Sequence, residues 1–223
     1  MLRTALWTAV IFAAAPMMGQ VIISEIMYNP ASTEGGYGDD APPVQTEWLE
    51  LYNAGDAPAD LGGHFLQDED GRTAAIPADT TLKPGEALVL IPGDQTVSDF
   101  RAAWGRGAYQ VVSLDGWGLG DDTLDNLANS PSDRNEVLTL RNAAEEVVDQ
   151  VNYDDESPWP SDSPQGGSII LRPSQLSAQA NDHGESWVIA REGELGAKKC
   201  QVTEDYNRED IGSPGVVVSE SSE

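Results

Sequence analysis

The fold of this chain is decided by three runs in its first half: VIISEIMYNP (residues 21–30), EWLELYNAGDAPADLGGHFLQDEDGR (residues 47–72) and LKPGEALVLIP (residues 82–92). Each run holds a short apolar stretch bounded by Gly, Pro, Asn or Asp, a pattern typical of short strands joined by turns. In the second run, Leu49 and Leu51 alternate with polar neighbours, which predicts a strand with one apolar face. These runs indicate an all-β protein.

The same pattern continues along the chain, and it predicts a sandwich of many short strands. The predicted strands are Val21–Tyr28, Glu47–Asn53, Gly63–Gln67, Arg72–Ile76, Ala87–Ile91, Tyr109–Leu114, Glu136–Arg141, Val147–Tyr153 and Ser168–Arg172, with a further one at Trp187–Ile189. Within one of them, we expect Val147, Val151 and Tyr153 to share a face.

One helix interrupts the strands. Residues 97–104 (VSDFRAAW) place apolar side chains at helical spacing, Thr96 or Ser98 is suited to cap the start, and Gly105 is suited to end the helix. The dipeptide Asp70-Gly71 lies between two apolar runs, which predicts a tight hairpin because glycine tolerates positive φ.

These runs resemble the lamin tail domain in the form carried by secreted bacterial proteins. The resemblance extends over DFRAAWG (residues 99–105), NEVLTLRNAAEEVVDQVNYDDESPWP (residues 135–160), GGSIILRP (residues 166–173) and GSPG (residues 212–215). It implies an immunoglobulin-like β-sandwich with one short helical insert. It also implies a binding or structural role, because the domain usually serves as a module rather than as an enzyme.

The first nineteen residues differ from the rest. Arg3 precedes the apolar run Ala5–Ala15, and Gly19 offers a small residue for cleavage, features typical of a signal peptide. The run is shorter than the ~20 residues that a membrane span needs. We therefore expect residues 1–19 to be a signal peptide and the mature protein, without a transmembrane segment, to be secreted or held in the cell envelope.

The mature chain is predicted to have three parts. A lamin-tail-like sandwich is expected over residues 20–155, and an extension over residues 156–218 is expected to pack on the sandwich or complete it. Residues 219–223 (SESSE) have the composition of a disordered tail.

The charge of the chain limits its partners. It has 38 acidic and 12 basic residues and a formal net charge of -26, so phosphate backbones are repelled and nucleic-acid binding is excluded. We expect a monomer whose partner is a protein or a polysaccharide outside the cytoplasm. Cys200 is the only cysteine, which excludes an intrachain disulfide and leaves either a packed or exposed thiol or an intermolecular one.

Catalytic signals are weak. The chain has two histidines, His64 and His183, and no G-x-S-x-G motif, so a nucleophilic triad is not indicated. Three strand acids, Glu25, Glu47 and Glu50, could serve acid–base chemistry. The alternative is that they face outward or bond to the backbone, and strand alternation favours this alternative. No catalytic residue is predicted.

Metal signals are also limited. There is no CxxC or HExxH motif, so a zinc or iron site is not indicated. Loop carboxylates suit calcium, and the clusters are Asp39-Asp40, Asp68-Glu69-Asp70, and Asp121-Asp122 with Asp125 and Asn126. The last cluster is the preferred calcium site because Gly118 and Gly120 let the backbone fold tightly beside it. The alternative is that these acids are merely solvated, and no resident cofactor is predicted.

Tryptophans offer a second kind of site. We expect Trp48 in the core and Trp104 on the helix, while Trp117 and Trp159 lie in loops and are candidates for an exposed sugar platform. The alternative for Trp159 is that it plugs the core. The sequence therefore predicts a non-enzymatic binding or scaffolding module, with a calcium-dependent adhesive domain and a secreted hydrolase with a loop-carboxylate site around Asp121 or Glu47 as alternatives.

Overall fold

The computed structural model describes residues 20–32, 45–118, 123–124, 127, 136–161 and 165–219, and only the backbone of Glu136. In these ranges the chain forms fourteen strands and one α-helix. They are β1 (Val21–Met27), β2 (Trp48–Asn53), β3 (Ala59–Asp60), β4 (Phe65–Gln67), β5 (Thr73–Ala75), β6 (Thr81–Leu82), β7 (Ala87–Pro92), α1 (Val97–Trp104), β8 (Gln110–Leu114), β9 (Glu136–Arg141), β10 (Val147–Tyr153), β11 (Ile169–Leu171), β12 (Trp187–Ile189), β13 (Lys198–Lys199) and β14 (Ile211–Gly212). Two 3₁₀ turns lie at Pro173–Gln175 and Gly184–Ser186.

Two sheets form the sandwich. The larger has six strands in the order β12-β11-β1-β2-β7-β8, and the smaller has four in the order β10-β9-β4-β5. Most pairs are antiparallel, but β7 and β8 are parallel because α1 crosses between them. Two further two-stranded pairs, β3–β6 and β13–β14, lie outside these sheets. The predicted all-β, immunoglobulin-like sandwich is confirmed.

The predicted elements agree closely with the observed ones. Every predicted strand is present with small differences at its ends, and α1 has the predicted bounds. The hydroxyl of Thr96 accepts a hydrogen bond of 3.2 Å from the amide of Asp99, and Gly105 ends the helix at φ 87°. The predicted hairpin at Asp70-Gly71 joins β4 to β5, and Gly71 has φ 82°.

The inner core lies between the two sheets. The inward side chains of the larger sheet include Ile26, Leu49 and Leu51, which are fully buried. They belong to one apolar cluster with Leu138 and Leu140 of the smaller sheet. Alternating apolar residues on facing strands close such an interior.

A bulge in β10 corrects one expectation. The register with β9 shifts between Val147 and Asp149, so Val147 is 53% exposed while Val151 and Tyr153 are buried. The predicted shared face of these three residues is wrong for Val147, because an extra residue in one strand reverses the alternation beyond it. Asp149 takes the inward position instead.

The outer face of the larger sheet is also covered. Trp48 projects from β2 on this side and packs against Phe100 and Trp104 of α1, with ring centroids 6.1 and 5.5 Å away. Tyr206, from the C-terminal part of the chain, packs on both helix rings. The larger sheet is therefore buried on both sides, and its outer cover comes from α1 and from residues far along the chain.

Candidate functional site

The outer face of the larger sheet contains two adjacent buried carboxyl groups. Glu25 of β1 and Glu50 of β2 are direct cross-strand partners, and each is 1% exposed. Like charges at opposed positions destabilise a sheet, and an unpaired buried charge is costly. The glutamate pair therefore needs compensating hydrogen bonds, and it is the first place to look for chemistry.

Glu25 accepts three hydrogen bonds. Its Oε1 accepts from the hydroxyl of Ser168 at 2.5 Å and from the amide of Ser213 at 2.7 Å. Its Oε2 accepts from the hydroxyl of Ser213 at 2.6 Å. These donors come from the β11 region and from the C-terminal segment, so Glu25 joins three distant parts of the chain.

Glu50 has a similar environment. Its Oε1 accepts from the hydroxyl of Ser24 at 2.8 Å, and its Oε2 accepts from the amide of Gly215 at 2.6 Å. The amide donors to both glutamates lie in one stretch of chain. We name residues 211–218 the strap, because this stretch crosses the outer face and closes over the pair.

Two glycines let the strap approach the sheet. A Cβ on Gly212 would lie 2.7 Å from the ring of Trp48 and 3.0 Å from Oε1 of Glu25. Gly215 has φ 81°, and a Cβ there would lie 2.0 Å from the ring of Tyr109. The GSPG motif (residues 212–215) forms a turn, and it supplies the donors from the strap to the glutamate pair.

The pair holds protons more tightly than ordinary glutamates do. Burial raises the pKa of Glu25 to about 7, against the opposing effect of its hydrogen bonds from Ser168 and Ser213. Burial, together with the charge of Glu25, raises the pKa of Glu50 to about 8. At neutral pH a proton is therefore retained within the pair, because two adjacent charges in a dry site repel each other.

The pair has little access to any substrate. The recess beside Glu50, lined also by Ser24, Ile170 and strap residues, has a volume of about 10 Å³, which is roughly the space that one water needs. Perturbed carboxyl pKa values often mark active sites, but here the carboxyl oxygens of both glutamates already accept hydrogen bonds from other parts of the chain. The arrangement is suited to fastening the strap rather than to acid–base catalysis.

Another buried carboxyl, that of Asp149 in β10, links the two sheets. Oδ2 of Asp149 accepts from the amide of Ile23 at 2.7 Å and from Nδ2 of Asn181 at 2.7 Å. Asn181 also donates to the carbonyl of Ile23 at 3.2 Å. Burial raises the pKa of Asp149 to about 7. Ile23 lies at a bulge in β1, so two bulges meet at this bridge.

The predicted strand acids have mixed outcomes. All three are buried, so none faces solvent, but the alternative that they bond to the backbone is confirmed. Oε2 of Glu47 accepts from the amide of Leu127 at 2.8 Å. Their solvent exposure was mispredicted because alternation identifies a face of the sheet but not the segment that covers it.

Other predicted residues lie apart from the pair. His64 is half-buried just before β4, and His183 is exposed in a loop. Cys200 is 3% exposed, and its Sγ donates to the carbonyl of Arg208 at 3.2 Å, so it is a packed thiol. Burial raises its pKa to about 11, which disfavours the thiolate that an intermolecular disulfide requires.

The preferred calcium residues, Asp121, Asp122, Asp125 and Asn126, lie outside the described residues, as does the Asp39-Asp40 pair. In the remaining cluster, Asp68-Glu69-Asp70, Oδ1 of Asp68 accepts a hydrogen bond of 2.7 Å from the amide of Arg72. This carboxyl therefore belongs to the hairpin. Within the ranges that the structure covers, no group of three or more His, Cys, Asp or Glu side chains is placed to hold a metal ion.

The tryptophan predictions divide. Trp117 is 1% exposed within the inner core, so its predicted exposure is wrong. Trp159 is half-buried and packs against Trp187, with ring centroids 6.1 Å apart. It is therefore partly the core plug of the alternative reading, with part of its surface left open. Trp48 and Trp104 are buried as expected.

Asp149, Ser168 and Ser213 were not predicted as site residues. A usable signal existed for the pair itself, since SEIM and WLEL each place one acid among apolar residues on neighbouring strands. Nothing local marks the serines, because their partners are 143 and 188 residues away.

The helices in the described part of the chain include none that is both long and apolar enough to cross a bilayer. No curated protein matches the chain. The family model described as Lamin Tail Domain matches residues 14–155, a region that contains β1 to β10 and both members of the glutamate pair. With its immunoglobulin-like sandwich and this match over more than half of its length, the chain belongs to the lamin tail domain family.

Proposed function

We propose that this chain is a non-enzymatic binding or scaffolding module that acts outside the cytoplasm, free or attached to the cell envelope. Family membership supports the immunoglobulin-like module. The leader-like sequence of residues 1–19 supports export. A strongly acidic surface supports solubility and disfavours polyanionic partners.

One observation carries the non-enzymatic part of this proposal. The buried carboxyls of Glu25, Glu50 and Asp149 all accept hydrogen bonds from the chain's own groups. A catalytic carboxyl must reach a substrate atom at hydrogen-bond distance, and the recess beside Glu50 has a volume of only about 10 Å³. These groups therefore make contacts within the fold and are not placed to reach a substrate.

The test of the non-enzymatic role uses purified protein comprising residues 20–223 and generic nuclease, protease, esterase and glycosidase substrates. We expect no turnover. Turnover that disappears in Glu47→Gln, while a control Glu69→Gln retains it, would establish the hydrolase alternative and overturn the proposal.

Export is tested separately by expressing the full chain and determining the N-terminus of the recovered protein by mass spectrometry. We expect a chain that begins near Gln20 in the medium or the envelope fraction. Recovery from the cytoplasm with the leader still attached would contradict export.

The proposal includes no resident metal. We expect the melting temperature to be the same with calcium and with a chelator. A rise of several degrees with calcium that is lost in Asp121→Asn would support the adhesive, calcium-dependent alternative instead.

A further inference from the structure

A groove at the edge of the larger sheet lies outside the family-matched region. It is lined in part by Pro158, Trp159, Pro160, Arg172, Trp187 and Arg191, and its volume is about 530 Å³. This size is typical of sites for small ligands. We name it the tryptophan groove. The Glu25–Glu50 pair lies elsewhere, so this groove has no role in holding the strap.

The ring of Trp159 is held from behind. It lies 6.1 Å from the ring of Trp187 at an interplanar angle of 34°. Trp187 is 2% exposed, and its Nε1 donates to the carbonyl of Asn181 at 2.9 Å. On the same side, a Cβ on Gly184 would lie 2.7 Å from the amide nitrogen of Trp159. Because Trp159 is only half-buried, it presents a fixed apolar surface to the groove.

The groove also contains charges of both signs. Its lining includes four charged residues, all exposed: Arg172, Arg191, Glu185 and Glu194. Arg172 donates from Nε to the carbonyl of Glu185 at 3.0 Å. Among the described residues, neither arginine forms an ion pair with a carboxylate. In a chain with 38 acids and 12 basic residues, two unpaired guanidinium groups in one groove leave donors available to a ligand.

We infer that the tryptophan groove binds an uncharged sugar ring of a polysaccharide. A pyranose has an apolar face of C–H groups, which packs on an aromatic ring by dispersion and burial. Its hydroxyls both donate and accept, which matches arginines and glutamates placed around that ring. The net charge of -26 disfavours an anionic glycan. This inference rests on the proposed function and names a ligand class for it.

The binding test uses the protein without its leader, residues 20–223, and isothermal titration with three neutral hexasaccharides: β-1,4-linked glucose, mannose and N-acetylglucosamine. Polygalacturonate and a mixed peptide library serve as comparisons. We expect binding to at least one neutral hexasaccharide, with little change between low and high salt. Binding to polygalacturonate alone, to peptides alone, or to none of the probes overturns the inference.

Variants locate the site. Trp159→Ala is expected to weaken binding by about tenfold, and Trp159→Phe by less, because a smaller ring retains part of the contact. Arg191→Ala is expected to weaken binding by about three- to tenfold through lost hydrogen bonds. The matched control is Arg106→Ala, because Arg106 is exposed and precedes β8, at the opposite edge of the larger sheet.

Trp159 also packs against the core, so its variants are compared by melting temperature before titration. Arg191 is exposed, which keeps the test valid if Trp159→Ala fails to fold. Undiminished binding in Arg191→Ala together with Trp159→Phe places the sugar elsewhere and overturns the inference.

A reducing-end assay on the bound hexasaccharide separates the two proposals. Binding without cleavage supports both. Cleavage of the bound sugar contradicts the non-enzymatic role while the groove assignment stands. Absence of both binding and cleavage overturns only the sugar assignment.

Discussion

The two faces of the larger sheet are buried by different means. On the inner face, Leu49, Leu51 and Ile26 meet apolar side chains of the smaller sheet, and burial alone accounts for the contact. On the outer face, the strap covers Glu25 and Glu50, and their carboxyl oxygens accept hydrogen bonds from its backbone amides. The same strands thus contribute apolar side chains to the inner face, whereas on the outer face the glutamate pair lies beside an aromatic cluster that includes Trp48 and Trp104.

The difference shows what strand alternation can and cannot tell. Alternation separates the faces of a strand, but it assigns the polar face to solvent by default. Here a segment more than 160 residues away covers that face. The inner layer can be predicted from the alternation of residues within each strand, whereas the outer layer depends on contacts between residues that are far apart in the sequence.

The largest expected loss of stability comes from core substitutions, which test whether the inner and outer faces of the larger sheet unfold as one cooperative unit. Leu51→Ala removes an inner contact and Trp104→Ala an outer one, and both residues are at most 1% exposed. Each is expected to lower the free energy of unfolding by about 3–5 kcal/mol because of the cavity left behind. Urea unfolding followed by circular dichroism measures both. A Trp104→Ala protein with an unchanged main transition would mean that the outer layer unfolds separately.

The next effect concerns the strap. Gly215→Ala adds a methyl group at φ 81° against the ring of Tyr109, so we expect a loss of about 2–4 kcal/mol from strain and overpacking. Gly193→Ala is the matched control, because Gly193 has φ 86° and no atom within 4 Å of an added Cβ. The control should lose only about 1 kcal/mol. Equal losses in chemical denaturation would show that the close approach at Gly215 contributes nothing.

The pH dependence of stability tests the glutamate pair. The pKa values of Glu25 and Glu50 are raised from 4.5 to about 7 and about 8, so the folded chain retains protons that the unfolded chain has released. Below about pH 4.5 the contribution of the pair to the free energy of unfolding therefore does not change with pH. Between about pH 4.5 and about pH 8 this contribution falls as the pH rises, and above about pH 8 it is again constant. Each pH unit with one extra proton in the folded state costs about 1.4 kcal/mol. Melting temperatures at about pH 5 should exceed those at about pH 8.

The double variant Glu25→Gln with Glu50→Gln should reduce the slope of this profile to the smaller part that the raised pKa of Asp149 contributes. The amides retain an acceptor for the strap, and the serine hydroxyls can rotate to accept from the new NH₂ groups. Glu69→Gln with Glu192→Gln is the matched control, since it removes two exposed carboxylates. A profile that changes equally in both double variants would assign the effect to net charge and not to the glutamate pair.

The smallest effect concerns the bulge in β10. Val147 is 53% exposed, whereas Val151 is fully buried, although strand alternation predicts that both share one face. Val147→Thr should change stability by less than about 0.5 kcal/mol. Val151→Thr should cost about 1–3 kcal/mol, because it buries a hydroxyl. Thermal unfolding of the two variants decides the register, and equal losses would contradict the bulge.

Much of the fold was predictable from the sequence because its signals are local. Helix α1 has a cap at Thr96 and a stop at Gly105, and the main strands carry alternating apolar residues. The short pairs β3–β6 and β13–β14 were not predicted, because two-residue strands have too few positions to show a period. The bulge at Asp149 was missed for a related reason, since one extra residue leaves no mark in composition.

The candidate site was less predictable. Glu25 and Glu50 were recognised as unusual, but their burial depends on the strap, and the serines that bind Glu25 are distant in the chain. The tryptophan groove joins Trp159 to Arg191 across a 3₁₀ turn and an edge strand, so only the aromatic half could be proposed from sequence. Sites built by long-range closure are therefore found from structure.

The packed thiol of Cys200 offers a way to measure how often the C-terminal part of the chain detaches from the larger sheet. It follows β13, which pairs with the first residues of the strap, and its amide donates to the carbonyl of Asp210 at 2.8 Å. An alkylating reagent can react with it only when this corner separates from the sheet. The rate at which the thiol of the unmodified protein is alkylated therefore measures how often β13 and the strap detach, and no engineered probe is needed.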